Sequence, residues 1–353
     1  MKYNKNILAW LIAGCVLIFF QIIIGGITRI TGSGLSITKW EIVTGTLPPL
    51  SEEEWIKEFE LYKVTPQYKK INDGMGMSQF KFIYFWEYFH RLWARLMGLI
   101  FIIPFFFFFK KKWLDKAILK HLGIVLLCAS LAAVFGWIMV ASGLIERPWV
   151  NAYKLSLHLG IALLTLATLL WLNFSVFTDK DNLIRSSALS RSARIFFVLL
   201  IVQMFFGAVV SGMRAALYFP SWPDMNGELF PSILLDSSVW TLKGIIDYDK
   251  DALMPALIHV LHRNWAYFVL AYSVYHIYKL YKANTGIRYI RTNIVLFVLL
   301  ILQALLGILT LLYTDNTIPV FLGVMHQAIA IFIFSLALYN IFIFRKPIIS
   351  IDE

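Results

Sequence analysis

Charge is scarce in this chain. Only 15% of its 353 residues are Asp, Glu, Lys or Arg, against about 25% in soluble domains. Apolar residues make up 59%, and the mean hydropathy is +0.71. A soluble protein of this size could not hide that much apolar surface, and a disordered chain would not carry it, so both classes are excluded. Cysteine is nearly absent. Cys15 and Cys128 sit inside apolar runs and form no CxxC, zinc or disulfide pattern; they read as small buried residues. Acidic residues are outnumbered, 21 against 32 basic ones, for a net charge of +11. The basic residues collect in short loops between apolar runs, which points to membrane orientation and away from nucleic acid.

What the chain has in quantity is long apolar runs. About 20 apolar residues in a helix cross roughly 30 Å of hydrocarbon, and eight runs qualify, at roughly 7–27, 82–109, 121–141, 155–177, 195–213, 255–278, 293–313 and 319–344. The first is too long for a signal-peptide core and ends in Gly25-Gly26-Ile27-Thr28-Arg29 without a small-residue cleavage site. It is expected to be a retained transmembrane helix. Lys2 and Lys5, then Lys110 to Lys120, Lys180 to Arg194, Lys279 to Arg291, and Arg345 with Lys346 fall on alternate sides of the spans. The positive-inside rule therefore places both termini in the cytoplasm. Two long segments, roughly 28–81 and 214–254, then lie outside and read as partly helical caps.

The two halves echo each other. Gln21-Ile-Ile-Ile-Gly25 matches Gln203-Met-Phe-Phe-Gly207, and His90-Arg91-Leu-Trp-Ala matches His262-Arg263-Asn-Trp-Ala. Gly136 matches Gly307, and His158 matches His326. The offsets are 182, 172, 171 and 168 residues, varying as loop lengths would in a duplicated unit. The expected fold is an all-α integral membrane protein, with eight transmembrane helices as two pseudo-symmetric four-helix bundles. Residues 1–178 form the first and 195–353 the second, with a cytoplasmic linker at 179–194. Four spans is an even number, so the halves share an orientation and an axis along the membrane normal.

The histidines carry the chemistry. His90, His158, His262 and His326 fall on spans two, four, six and eight, each roughly 5–12 Å past the outer edge at about 1.5 Å per residue. A lone intramembrane histidine is usually packing glue; two matched pairs in one layer are a functional signal. Paired imidazoles on facing helices of a bundle can ligate haem iron. The pairs are His90 with His158 and His262 with His326. His121 and His276 lie near the other ends of their spans, while His259 is one turn from His262. Glu87 precedes His90 by three residues and shares its helix face. It reads either as a salt-bridge partner of Arg91 or Arg95, or as an acid/base group beside the first site. Its counterpart in the second half is His259, so the two sites differ chemically. Arg91 and Arg263 each follow a ligand candidate and either fork onto haem propionates or snorkel to the interface. Trp86, Trp93, Trp137 and Trp149 suit either a macrocycle or an interfacial belt. A di-haem electron-transfer cytochrome and a non-catalytic haem carrier remain alternatives at this point.

The stretches Gly25-Gly-Ile-Thr-Arg-Ile-Thr-Gly-Ser-Gly-Leu-Ser36, Trp40 to Pro49, Glu87-Tyr-Phe-His-Arg91, Gly136 to Gly143 and Tyr153 to His158, with His262-Arg263 and His326-Gln327, resemble the haem A synthases. The likeness covers about residues 7–344. It is to the proteobacterial and mitochondrial branch, which lacks the outer-loop cysteine pair of some bacterial members. The resemblance implies oxidation of the C8 methyl of haem O to a formyl group by successive hydroxylations, giving haem A for cytochrome c oxidase. It implies a haem b cofactor in the second half on His262 and His326. Substrate haem would lie in the first half on His90 and His158, with Glu87 as the essential glutamate. The implied partners are the upstream haem O synthase (protohaem farnesyltransferase), an unknown electron-transfer partner, the lipid bilayer and a second copy of the chain. The expected location is the inner (plasma) membrane of a bacterium, since no Arg/Ser-rich presequence precedes the first span. A farnesylated substrate would suit a site that opens sideways between helices into lipid.

Overall fold

A computed structural model describes residues 4–39, 46–145, 147–178 and 182–345. Lys2, Trp40, residues 41–45 of the stretch ending at Pro49, Lys180 and Lys346 lie outside the described residues. Twelve α-helices occur among the described residues: α1 (Lys5–Ile30), α2 (Glu52–Lys63), α3 (Pro66–Ile71), α4 (Met77–Lys110), α5 (Lys116–Gly143), α6 (Ala152–Phe177), α7 (Ser187–Gly212), α8 (Ala215–Tyr218), α9 (Leu242–Ile246), α10 (Leu253–Lys282), α11 (Ile287–Leu312) and α12 (Val320–Ile343).

Seven of these, α1, α4, α5, α6, α7, α11 and α12, are long and apolar enough to cross a membrane. The expected sixth span falls on α10, which is 30 residues long, or about 45 Å at 1.5 Å per residue. By composition α10 falls short of the other seven. It carries His259, His262, Arg263, Asn264, His276, two lysines and five tyrosines. Much of that polarity is spent against α7. Trp265 Nε1 donates to Leu199 O at 2.9 Å, and His276 Nδ1 bonds Ser192 Oγ at 2.8 Å. Buried polar groups in apolar surroundings need such partners.

Three of the long helices begin at side-chain caps outside the apolar runs. Asn4 caps α1 through Asn6 N, Asp115 caps α5 through Ile118 N, and Ser186 caps α7 through Leu189 N. In α4, Pro104 has no N–H to give Ile100 O, the carbonyl four residues earlier. Trp10 Nε1 of α1 fills that carbonyl at 3.0 Å, which locks α1 to α4 where the ladder is broken.

The chain folds as two compact units, Met1–Leu169 and Leu170–Glu353. In the first, the connector between α1 and α4 is partly helical. A capping box of Ser51 and Glu54 starts α2, and Thr65 with Pro66 starts α3. Phe59 and Tyr62 stack on Phe80 of α4, with ring centroids 4.8 and 5.2 Å apart. In the second unit the connector between α7 and α10 holds α8, a 3-10 turn at Ser232–Leu235 and α9. Its apolar side chains Phe219, Met225 and Leu234 pack on Leu253 and Ala256 of α10.

One pairing has no counterpart among the sequence expectations. Ile184–Arg185, just before α7, pairs in parallel with Phe344–Arg345, just after α12, and Ser186 N donates to Arg345 O at 2.9 Å. The Arg345 guanidinium lies over the Phe342 ring at 4.5 Å and the Trp171 ring at 5.8 Å.

Candidate functional site

Each of the four histidines of the repeat rests on a glycine of a neighbouring helix. A Cβ built on Gly25 would lie 3.1 Å from His90 Nε2, and one on Gly136 would lie 3.1 Å from His158 Cε1. A Cβ on Gly207 would lie 2.9 Å from His262 Cε1, and one on Gly307 would lie 3.0 Å from His326 Cε1. The glycines singled out by the repeat are therefore cradles, shallow enough for an imidazole to lie against the backbone.

The rings are also fixed by hydrogen bonds. His158 Nδ1 bonds Ala132 O at 2.9 Å, and His326 Nδ1 bonds Gln303 O at 2.9 Å. Both acceptors lie one turn before the cradle glycine. A carbonyl oxygen only accepts, so Nδ1 carries the hydrogen in both rings. Each Nε2 then presents a lone pair, the form in which a histidine ligates a metal. On the facing helices, Gln21 Nε2 donates to His90 Nε2 at 3.0 Å and to His90 O at 3.3 Å. Gln203 Nε2 donates to His262 Nδ1 and to His262 O, both at 3.1 Å. Gln21 sits four residues before Gly25 and Gln203 four before Gly207, so one face of α1 or α7 supplies both donor and cradle.

The pairs form within each unit. His262 and His326 have ring centroids 6.5 Å apart. Two imidazoles sharing one metal at about 2 Å each would have centres roughly 6 Å apart. His90 and His158 lie within electrostatic reach of one another. Among the described residues no group of three or more His, Cys, Asp or Glu gathers to hold a bare ion. Paired imidazoles in glycine cradles would suit a haem, which needs no third protein ligand.

Glu87 is buried and fully engaged. Its Oε2 accepts from Ser36 N at 2.7 Å, Ser36 Oγ at 2.8 Å and Ile37 N at 2.8 Å. Its Oε1 accepts from Arg91 Nη2 at 2.6 Å. Of the two salt-bridge partners considered, Arg91 is the one that makes the pair. Arg91 also donates to Lys39 O at 3.1 Å and Ile37 O at 3.4 Å. Arg263 does the same in the second unit, with 2.7 Å bonds to Asp224 O and Ser221 O. Both arginines thus fasten their unit's long connector. Arg263 Nε is buried without a hydrogen-bond partner.

The connector in the second unit is itself tightly turned. Ser221 Oγ donates to the Asp224 carboxylate and accepts from Asn226 N at 2.6 Å. The Ser221 hydroxyl, the Gly227 N–H and the nearby Arg263 hold the Asp224 carboxyl below the usual carboxylate range.

The remaining histidines are placed elsewhere. His259 is buried beside Phe219, with rings 6.4 Å apart, and its Nδ1 has no partner. His121 turns back on Ala117 O at 2.8 Å, and His276 bonds Ser192. Trp93 is a helix clamp: its Nε1 donates to Leu17 O of α1 at 3.0 Å, as Trp265 donates to Leu199 O. This accounts for the Trp in both His-Arg-x-Trp-Ala stretches. Trp137 is about half exposed, at 48%, as a residue facing lipid would be. Nothing in the sequence announces the roles of Ser36 and Ile37. The repeat flags Gln21 and Gln203 without saying what they hold.

Comparison with known proteins identifies the family. A model of the cytochrome oxidase assembly protein family matches residues 8–338. A protein named heme A synthase from Flavobacterium psychrophilum is 39% identical over 351 residues, covering 98% of this chain and 100% of its own length. One of the same name from Bradyrhizobium diazoefficiens is 36% identical, covering 93% of this chain and 88% of its own. Another from Nitrosospira multiformis is 35% identical, covering 95% and 92%.

Proposed function

The chain belongs to the cytochrome oxidase assembly protein family, and we propose that it is a haem A synthase, a multi-pass membrane enzyme that makes haem A for cytochrome oxidase. The reaction is oxidation of a methyl group of haem O to a formyl group. The observation that carries this reading is the matched pair of histidine sites, each ring on a glycine, with a buried carboxylate, among the described residues, beside the first and not the second. Two electron-transfer haems would not need that asymmetry.

In this reading His262 and His326 hold a resident haem b, and His90 and His158 hold the substrate haem. The bound cofactor supplies the redox chemistry. The protein's own residues do the rest. The glycine cradles set ring orientation, and the Gln21 and Gln203 amides, which donate to His90 Nε2 and His262 Nδ1, must turn over for those two rings to offer a lone pair. The carbonyls of Ala132 and Gln303 keep Nε2 of His158 and His326 free to ligate. Glu87 stands one helical turn from His90 as the acid/base group for protons released when the methyl is hydroxylated. Arg91 and Arg263 hold the two connectors against their sites, and Nε of Arg263 remains for a cofactor carboxylate. The apolar helix walls limit water.

The same reading carries the setting. Haem O synthase acts upstream, a separate partner exchanges electrons, and a second copy of the chain is a further partner. The bacterial relatives and the alternating basic loops support an inner-membrane protein with both termini in the cytoplasm.

The test is purification from a host that makes haem O, followed by porphyrin extraction and chromatography with mass detection. Haem b together with haem A or its hydroxylated precursor supports the reading. Haem b alone, with haem O unchanged in the presence of a working reductant, overturns it in favour of an electron-transfer cytochrome or a haem carrier. Replacing His262 or His326 by Ala should strip haem b. Replacing His90 or His158 should abolish turnover and leave haem b in place.

A further inference from the structure

Three of the four donors to Glu87, all but Arg91, come from a turn 50 or 51 residues earlier in sequence. That turn is anchored independently of the carboxylate. Gly32 has φ +68, a conformation that favours glycine, and its carbonyl accepts from Gln67 Nε2 of α3 at 2.9 Å. Gln67 Oε1 accepts in turn from Tyr62 OH at 3.0 Å, whose oxygen accepts from Asn72 Nδ2 at 2.6 Å. Burial pushes the Tyr62 phenol up to about 12, so it remains a donor at any working pH. Thr31 and Ser33 share a 2.6 Å hydroxyl bond. Leu35 is buried against Gly143 of α5, where an added Cβ would meet its Cδ2 at 2.8 Å. Ser36 is 1% exposed. Its one hydroxyl hydrogen goes to the carboxylate at 2.8 Å, with Ile83 O at 3.3 Å the longer alternative.

We propose that Ser36 is a positioning residue for the oxidation: its hydroxyl, on the turn Gly32–Ile37, fixes the rotamer of the Glu87 carboxylate one helical turn from His90. The inference rests on the reading of Glu87 as the acid/base group. Two backbone N–H groups and Arg91 suffice to keep the carboxylate in the turn. Of the three donors that the turn offers Glu87, the hydroxyl is the one a side chain supplies, and it lies over α4, 3.3 Å from Ile83 O one turn before the carboxylate. It therefore sets where along α4 the carboxylate points. The second unit has His259 at the matching position, so the device belongs to the reacting site alone.

The experiment measures haem O oxidation by the full-length protein in detergent for Ser36→Ala, Ser36→Thr and Glu87→Gln, with haem b content as a second readout. Ser36→Ala should lower kcat roughly tenfold, the effect of losing one hydrogen bond to a charged group that sets geometry. KM and haem b content should stay unchanged. Ser36→Thr, which keeps the hydroxyl, should restore most of kcat. A Ser36→Ala protein with wild-type kcat overturns the proposal. So does a Ser36→Thr protein as slow as Ser36→Ala, and so does a Ser36→Ala protein that loses haem b, which would mark Ser36 as structural. Full activity in Glu87→Gln would refute the role given to Glu87 itself, whatever the serine variants do.

Discussion

Replacing Gly207 by alanine should empty the second haem site while leaving the helices intact. The new Cβ would lie 2.9 Å from His262 Cε1 and 3.5 Å from Nδ1. Carbon atoms pack best at about 3.5–4.0 Å, so the imidazole must retreat by roughly 0.6–1.1 Å or the helices must part. Overpacking of this kind costs about 1–3 kcal/mol. Against it stands the helix propensity of Ala over Gly, about 1 kcal/mol in favour of the variant. The net cost is about 0–2 kcal/mol for the protein without haem, so folding should survive. Helix propensity does nothing for ligation by a ring moved off its position. A cost of about 1–3 kcal/mol there corresponds to haem binding weakened by about five- to 150-fold. The assay is haem b per protein by extraction, with the visible absorption spectrum as a check on axial ligation. Gly98→Ala and Gly160→Ala, where a Cβ meets nothing within 4 Å, are the controls. A Gly207→Ala protein with a full haem complement and an unchanged spectrum would refute the cradle argument.

Three further outcomes are expected. Trp10→Phe leaves Ile100 O without a donor beside Pro104, and the protein should lose about 1–3 kcal/mol of stability. Adding Pro104→Ala, which restores an N–H to that carbonyl, should recover most of it in a thermal melt. Asn293 and Asn340 exchange amide bonds of 2.7 and 3.2 Å between α11 and α12. Asn340→Leu alone should cost about 1–3 kcal/mol, while Asn293→Leu with Asn340→Leu should be close to neutral; equal losses in both would count against the pair. Finally, the lowered pKa of Asp224 means the stability it adds is complete above the ordinary aspartate value of about 3.9 and fades as pH falls through the lower folded value. The hydrogen-exchange protection of Asn226 N, which donates to Ser221 Oγ, relative to the intrinsic rate at each pH, should fall across that acid window and stay flat above it. Protection that does not respond to acid would rule Asp224 out as the cause.

The fold was legible where its signal is local. Apolar runs placed every long helix, because a helix in hydrocarbon satisfies its own backbone and needs only length and composition. The exception in kind is α10, whose polar residues are tolerated through partners on α7 that composition does not report. The histidine pairs were legible because duplication repeats them, and repetition substitutes for structure in picking out a site. What each glycine does was not legible, since a cradle exists only once two helices touch. The partners of Glu87 were hidden for a similar reason. Ser36 N and Ile37 N are backbone donors, which no residue type announces, and they lie in a connector whose turn depends on Gly32, Leu35 and Gln67 together. Arg91 and Arg263 were read as propionate or interface residues; each also gives two hydrogen bonds to carbonyls of its connector. The pairing of Ile184–Arg185 with Phe344–Arg345 joins two-residue segments too short to carry a strand pattern.

The hydrogen bonds from His158 and His326 end on main-chain oxygens, of Ala132 and Gln303, and this shapes how the protein can change over generations. A carboxylate partner could be exchanged by one codon, retuning the imidazole's basicity with it. A main-chain carbonyl survives every substitution at its own position. To alter it, a lineage must insert or delete a residue in α5 or α11, which rotates the helix by about 100° and carries the cradle glycine away as well. Ligand basicity at these two positions is therefore insulated from point mutation. Variation among descendants should collect on the Gln21 and Gln203 side of each site, where one base change is enough.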